Sequence, residues 1–295
     1  MRTILLLFVS ILFITSSAQL PCDSIIAPAL SAEVQADYET KLKEAKSQWE
    51  KDSLSADALI WYGRRTAYLG DYSEAIRLFS RGIELHPADA RFYRHRGHRY
   101  ITVRCFDKAV ADFRVAAKLI KGKPDEIEPD GIPNARNIPT STLQSNTWYH
   151  LGLAYYLKGD WKKAAKAYKE CLAVSTNNDM YVATANWYYI TLRRLKRDKE
   201  AAKLLTTIDP ARELIENKDY LDILMLYKRQ TDCTDPLLLM QGQTGLRSAT
   251  YGYGLAVYCM LSGSNPRPVL EKVLESGQWA GFGFIAAEAE LERLR

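Results

Sequence analysis

Small and apolar residues recur along this chain at intervals of three and four positions, and the whole pattern repeats after 34 residues. The matched pairs are Gly63 and Gly97, Ala75 and Ala109, Phe79 and Phe113, and Gly82 and Ala116. A third copy keeps the internal spacing with Gly152, Ala164, Tyr168 and Cys171. Because such intervals return side chains to one face of a helix, the pattern predicts repeated pairs of antiparallel helices.

The third copy carries the fullest motif, with Trp148, Leu151, Gly152 and Tyr155 in its first helix. This motif resembles the tetratricopeptide repeat family, whose units contain Trp-x2-Leu-Gly-x2-Tyr followed by Ala, Phe, Ala and Pro. The resemblance implies an all-α fold, namely a right-handed α-solenoid of tetratricopeptide-type helix pairs with a degenerate C-terminal helical region. The chain also resembles exported bacterial members of the family and, more weakly, adaptors of the NlpI type.

The register of the repeats divides the chain into six segments. They are a signal peptide (1–18), an N-terminal segment with a capping helix (19–55), units one and two (56–120), a Pro-rich acidic insertion (121–145), units three and four (146–210), and degenerate helical repeats with a C-terminal cap (211–295). Helices outside the units are predicted at 36–51, 211–227, 247–261, 267–274 and 282–294. The first of these is expected to cover the exposed end of the repeat array.

The first residues of the chain have the pattern of a secretory signal peptide. Arg2 precedes an unbroken apolar run over 4–14, and small residues at Ser16 and Ala18 favour cleavage after Ala18. An apolar helix of this length, at ~1.5 Å per residue, is too short to span a hydrocarbon core of ~30 Å. The expected location is therefore periplasmic or secreted, without stable membrane insertion; lipid attachment at Cys22 is the disfavoured alternative, because Pro21 precedes it.

Charge and cysteine content exclude several classes of protein. The net charge is +5, and removal of Arg2 with the signal peptide leaves +4, which does not indicate nucleic-acid binding. The chain has five Cys and no CxxC pair, so neither a zinc ribbon nor a disulfide framework is indicated. At most one or two disulfides are expected after export, and the favoured pair is Cys233 with Cys259.

The family resemblance implies that the first helix of each pair lines a concave groove. The candidate binding residues on that face are Trp61, Arg64, Arg94, His95, His98, Tyr149, His150, Trp187 and Arg193. Guanidinium groups hold carboxylates and phosphates by charge-assisted hydrogen bonds, and aromatic rings offer stacking surfaces. The predicted function is therefore a non-catalytic, exported protein-interaction scaffold that binds an extended or acidic peptide segment of a cell-envelope partner.

The insertion over 121–144 has three possible roles. Its acids, Asp125, Glu126, Glu128 and Asp130, favour a loop that folds into the groove and meets Arg94, Arg96 or Arg99. The insertion is alternatively a lid over an external ligand, or a mobile loop. Its isoleucines, Ile127, Ile132 and Ile138, are expected to act as apolar anchors.

Metal binding and catalysis find less support in the sequence. His95, His98 and His150, with Asp125 or Glu128, form a conceivable zinc ligand set, but the neighbouring arginines repel a dication, and no metal or cofactor is predicted. The usual motifs of hydrolases, metalloproteases and nucleotide-binding enzymes are absent, and Cys171 is expected to be buried and inert. The alternative function is a small-molecule or metal-binding module with the 121–144 loop as lid. The oligomeric state is open, with the C-terminal aromatics Trp279, Phe282 and Phe284 as one possible contact.

Overall fold

The computed structural model of the chain describes residues 25–229 and 235–295. The predicted signal peptide, Cys22 and Cys233 lie outside these ranges. Within them the chain is helical, and the sole β-bridge joins Ile127 to Thr142. The first seven helices are α1 (Ala32–Lys51), α2 (Ala56–Tyr68), α3 (Tyr72–Leu85), α4 (Ala90–Thr102), α5 (Phe106–Ile120), α6 (Leu143–Leu157) and α7 (Trp161–Val174). The next seven are α8 (Asn178–Arg194), α9 (Asp198–Thr206), α10 (Lys218–Arg229), α11 (Pro236–Met240), α12 (Gly245–Leu261), α13 (Arg267–Leu274) and α14 (Phe282–Arg293).

Four helix pairs form the repeat array predicted from the 34-residue period. They are α2 with α3, α4 with α5, α6 with α7, and α8 with α9, and each pair packs on the next. Helix starts follow local chemistry, because Ser55, Asp71 and Asp160 accept hydrogen bonds from backbone N–H groups of the first turn. The predicted all-α solenoid of tetratricopeptide-type pairs is confirmed, and α1 covers its first pair.

In each of the first three pairs, an aromatic ring of the second helix packs directly on a glycine of the first helix. A Cβ atom at Gly63 would lie 2.6 Å from Phe79, one at Gly97 2.9 Å from Phe113, and one at Gly152 2.5 Å from Tyr168. The motif glycines therefore leave room for the ring of the second helix in the same unit. Two of these rings also contact the next unit, since Phe79 stacks on His95 at 5.4 Å and Phe113 stacks on His150 at 5.7 Å.

Two predicted helix boundaries differ from the observed ones because of side-chain caps. Helix α1 begins at Ala32, four residues early, since Ser31 accepts a hydrogen bond from the backbone N–H of Val34. Helix α10 begins only at Lys218, because the Asp179 carboxylate binds the backbone N–H groups of 215–217 and holds them in a turn. The predicted helix at 267–274 is confirmed at both ends.

The C-terminal helices fold back toward the repeats. Helix α10 packs on α8 and on α12, and α12 packs on α13 and α14. Helix α14 then reaches α6, the first helix of the third unit. The last segment of the chain therefore lies against the concave face of its own solenoid.

Two further properties bear on where the protein works. Cys105 and Cys259 each take part in a disulfide bond, whereas Cys171 is a free thiol. The predicted partner of Cys259 is Cys233, which is outside the described residues, so that pairing stays a prediction. Among the helices of 25–229 and 235–295, none combines the length and apolar character that crossing a bilayer requires.

Candidate functional site

The concave face is formed by the first helices of the repeats. Helix α4 contacts α2 and α6, and α6 contacts α8. The predicted binding residues lie on these four helices. Two other parts of the chain cover them: the insertion loop, defined as 121–142, and the C-terminal cover, defined as 279–293.

The insertion loop enters the groove near the first two units. Arg64 donates a hydrogen bond of 2.8 Å to the Pro129 carbonyl, and Arg65 donates one of 2.7 Å to the Gly131 carbonyl. Arg94 forms an ion pair of 2.9 Å with Glu128. The favoured prediction for the loop is therefore confirmed.

Only one of the three arginines named for the loop acids meets them. Arg94 binds Glu128, whereas Arg96 forms a two-point ion pair with Asp112 at 2.8 and 2.7 Å. Arg99 has neither an ion pair nor a side-chain hydrogen bond within the described part of the chain, and its guanidinium lies 5.7 Å from the centre of the Tyr72 ring. Of the three alternatives, Arg94 is therefore the arginine that meets a loop acid.

Glu128 is the buried anchor of the loop. Besides Arg94, it accepts a hydrogen bond of 3.0 Å from the side-chain amide of Asn146, which sequence reasoning missed. Its other neighbour is His95, whose Nε2 is 3.5 Å away. Burial, reinforced by Arg94, holds the pKa of His95 well below its usual range, so this histidine is neutral beside the carboxylate.

The isoleucines of the loop do not anchor it. Ile127, Ile132 and Ile138 are 72%, 58% and 48% exposed, which contradicts their predicted role. The loop is held instead through backbone carbonyls and one carboxylate. Gly131 is required at its tip, because a Cβ atom there would lie 1.6 Å from the Tyr68 hydroxyl oxygen.

The outer half of the loop rests on the turn after unit four. Arg136 pairs with Glu213 at 3.2 Å, and Thr140 donates a hydrogen bond to Glu216. Asn177 donates a hydrogen bond of 2.7 Å to the Thr140 carbonyl. These contacts join neighbouring units across the insertion, and no sequence signal pointed to them.

The C-terminal cover occupies the groove beside the second and third units. The ring centre of Phe282 lies 5.3 Å from His98, 5.4 Å from His150 and 6.3 Å from Tyr149. The His98 and His150 rings are 4.6 Å apart. Three predicted binding residues are thus brought together, but they contact an aromatic residue of the same chain.

Trp279 closes the groove at the first unit. Its ring stacks on Tyr72 with a centroid distance of 5.9 Å, and the Arg104 guanidinium lies 3.9 Å above it. Arg104 also pairs with Glu288 at 2.7 Å. Trp279 and Phe284 are buried and Phe282 is half-buried, so these aromatics form an internal seal.

The two predicted residues in the fourth unit differ in exposure. Trp187 is buried between Tyr156, at 5.2 Å, and Tyr253, at 5.7 Å. Arg193 is partly exposed; it pairs with Asp198 at 2.9 Å and donates a hydrogen bond to the Tyr189 hydroxyl at 3.0 Å. Trp61 and Arg64 are also partly exposed, and Arg64 lies 4.4 Å above the Trp61 ring.

The electrostatics of the groove come from arginine and not from histidine. Burial lowers the pKa of His150 to about 3 and holds that of His98 well below its usual range, with Arg94 and Arg99 adding to both effects. Neutral imidazoles packed against Phe282 are unsuited to bind anions. The described residues also contain no group of three His, Cys, Asp or Glu side chains arranged to hold a metal ion.

Cys171 has no features of a nucleophile. It is buried, its sulfur lies 3.1 Å from the Thr184 hydroxyl and 3.3 Å from the Ser145 carbonyl, and burial raises the pKa of its thiol to about 11. The thiolate is therefore scarce at neutral pH.

Comparison with known proteins identifies the repeat. The family model described as tetratricopeptide repeat matches residues 145–178, which include α6 and α7. Residues 145–178 form a tetratricopeptide repeat. Proteins of this family bind other proteins and act as scaffolds, and the tetratricopeptide array here has its inner face covered by its own chain.

Among curated proteins, the chain is 26% identical over 155 residues to BBSome complex member BBS4 of Bos taurus. The match covers 52% of this chain and about a quarter of that relative's length.

Similar solved structures include YrrB, described as a TPR protein with an unusual peptide-binding site. It has a TM-score of 0.45 and 12% identity, and the match covers 84% of this chain and 97% of YrrB. A structure of MamA has a TM-score of 0.45 and 14% identity, covering 69% of this chain and all of MamA.

Proposed function

We propose that this protein is an exported, non-catalytic interaction scaffold whose groove recognises an extended acidic segment of a cell-envelope partner. The insertion loop occupies the same groove and competes with that segment. The observation that carries the proposal is the set of contacts around 128–131, in which Arg64 and Arg65 bind backbone carbonyls and Arg94 binds the Glu128 carboxylate.

Through these contacts the groove binds a peptide segment of its own chain. Backbone carbonyls are common to all peptides, whereas the carboxylate selects an acidic residue at one position. Glu128 and Ile132 each precede a proline, which disfavours helix and keeps the segment extended. A partner with an acidic residue at the equivalent position offers the same groups, so loop and partner exclude one another.

Two observations support the location and the absence of catalysis. Cys105 and Cys259 are disulfide-bonded, which is typical of proteins in oxidising compartments, and the first residues have a signal-peptide pattern. Cys171, the free cysteine of the described residues, is buried with a raised pKa. A periplasmic or secreted scaffold accounts for both.

The decisive experiment supplies the loop in trans. Residues 121–141 are replaced by three residues copied from 86–88, which precede the N-cap Asp89 in the connection between α3 and α4, so that Thr142 still caps α6. A fluorescent peptide with the sequence of 124–133 should bind this loopless protein, and bind the full chain at least tenfold more weakly. Polarisation anisotropy measures both affinities.

Two controls accompany this experiment. Arg94→Gln in the loopless protein should abolish binding, whereas Arg77→Gln, which alters an exposed arginine paired with Glu74, should leave it unchanged. A loopless protein that keeps its helical circular dichroism but does not bind the peptide would refute the proposal.

A further inference from the structure

A cavity lies at the inner face between the first two units, beside the tip of the insertion loop. It has a volume of about 110 Å³ and lies between α2, α3 and α4. Its charged lining consists of Arg64, Arg94 and Arg99, with no carboxylate among the residues that line it. At ~30 Å³ per water molecule, the space admits a group of a few heavy atoms.

The protein neutralises the cations around this cavity only in part. Glu128 pairs with Arg94 at 2.9 Å. Arg64 donates hydrogen bonds to the Pro129 carbonyl and the Tyr68 hydroxyl, and Asp130 interacts with it over a longer distance. Arg99 has no ion pair in the ranges that the structure describes. Burial, with Arg94 and Arg64 nearby, lowers the pKa of Arg99 to about 10, so it stays charged at neutral pH. Arg64 and Arg99 therefore line the cavity without an ion pair.

Unused hydrogen-bond donors accompany this charge. Arg94 is 8% exposed, and its Nε atom is buried without a partner. A buried donor without a partner is costly, and an anion is the group that satisfies it while also offsetting the charge. A water molecule could accept the hydrogen bond but would not offset the positive charge.

We propose that this cavity binds a small tetrahedral oxyanion of the phosphate class, held by Arg64, Arg94 and Arg99. A dianion matches the two guanidinium groups that lack a carboxylate, and planar guanidinium groups bind phosphate oxygens in pairs. The site goes beyond the proposed peptide groove, because the cavity exists with the loop in place and Arg99 does not contact the loop.

The test uses the full mature chain with its disulfides intact and no peptide present. Inorganic phosphate should raise the melting temperature progressively as its concentration increases, relative to sodium chloride at the same ionic strength, and should give a saturable calorimetric titration. Arg99→Gln should weaken phosphate binding at least tenfold, and Arg77→Gln should not change it.

The same variants separate binding from a structural role. Without phosphate, Arg99→Gln should melt at the same temperature as the parent or higher, because it removes an uncompensated cation. The proposal is overturned if phosphate gives no saturable binding, if acetate binds as tightly as phosphate, or if Arg99→Gln binds like the parent. A lower melting temperature of Arg99→Gln without phosphate also overturns it, since Arg99 would then be a structural residue. Peptide binding by the loopless protein remains a separate result, which distinguishes failure of this site from failure of the proposed function.

Discussion

The insertion loop and the C-terminal cover occupy the same concave face by opposite chemistry. The loop is held by carbonyl hydrogen bonds and one buried ion pair, and leaves its isoleucines in solvent. The cover buries Trp279 and Phe284 and packs Phe282 on two histidines. Polar contacts are readily exchanged for equivalent contacts with water or a partner, whereas buried aromatic area has no such substitute. We therefore expect a partner to be able to displace the insertion loop from the concave face, whereas the C-terminal cover stays in place.

The largest expected effect comes from removing an aromatic residue of the cover. Trp279→Ala should lower the free energy of unfolding by about 3 to 5 kcal/mol, because it empties a buried site between Tyr72 and Arg104. The matched change in the loop, Ile132→Ala, removes an exposed side chain and should cost less than about 0.5 kcal/mol. Urea denaturation measures both, and equal losses would contradict the contrast between the two occupants.

The second effect concerns the buried anchor of the loop. Glu128→Gln leaves Arg94 without its charge partner and should destabilise the protein by about 3 kcal/mol. Because the loop can swing outward and let Arg94 hydrate, part of this cost should appear as local opening. Limited proteolysis should cut the variant within 121–142 faster than the parent, and unchanged cleavage rates would argue against the anchor.

The third effect is a pH dependence caused by the covered histidines. The pKa of His150 is lowered to about 3 and that of His95 well below 6.5, so the unfolded chain binds protons at these sites before the folded one does. Stability should fall as the pH drops below 6.5, by up to ~1.4 kcal/mol per pH unit for each histidine. Buried Asp112 and half-buried Asp130, whose pKa values are raised by desolvation, act in the opposite direction in more acidic solution.

Substitution isolates the histidine contribution. His150→Gln should reduce the slope of melting temperature against pH between 7 and 5. If the slope is the same in His150→Gln as in the parent, the C-terminal cover does not exclude water from this histidine.

The smallest expected effect is at the outer end of the loop. Arg136 and Glu213 form an exposed ion pair, and such pairs contribute ~0.2 to 1 kcal/mol. Arg136→Ala should therefore change the free energy of unfolding by a few tenths of a kcal/mol. It should not cause the faster cleavage within 121–142 that is expected for Glu128→Gln. A loss of stability comparable to that of Glu128→Gln would show that the exposed Arg136–Glu213 pair anchors the loop as strongly as Glu128 does.

The repeats were predictable because their packing is local. A glycine and an aromatic residue sixteen positions later, such as Gly63 and Phe79, report contact within one unit, and the period identifies every copy. The insertion was predictable in outline, since four acids faced a cationic surface. Which acid meets which arginine depended on Asn146 and on backbone carbonyls, and these leave no pattern in the sequence.

The C-terminal cover was not predictable from the sequence. Its contacts, such as Trp279 with Tyr72 and Phe282 with His150, join residues in different helices without any repeating interval. The aromatic residues and histidines of the groove were therefore interpreted as ligand-binding surface, because the segment that covers them follows no register. Long-range packing between degenerate helices depends on shape, which hydrophobic spacing does not specify.

The contact between Trp279 and the start of α3 alters how the array folds. Repeats in an open solenoid contact only their neighbours, so such proteins can fold and unfold in stretches. Here the first unit is completed by Trp279, which lies near the end of the chain, and a contact over so large a sequence separation is slow to form. During synthesis the early units therefore have an uncovered aromatic inner face until the C-terminal helices emerge. We expect the folded protein to unfold cooperatively, because its first unit and its C-terminal helices stabilise each other.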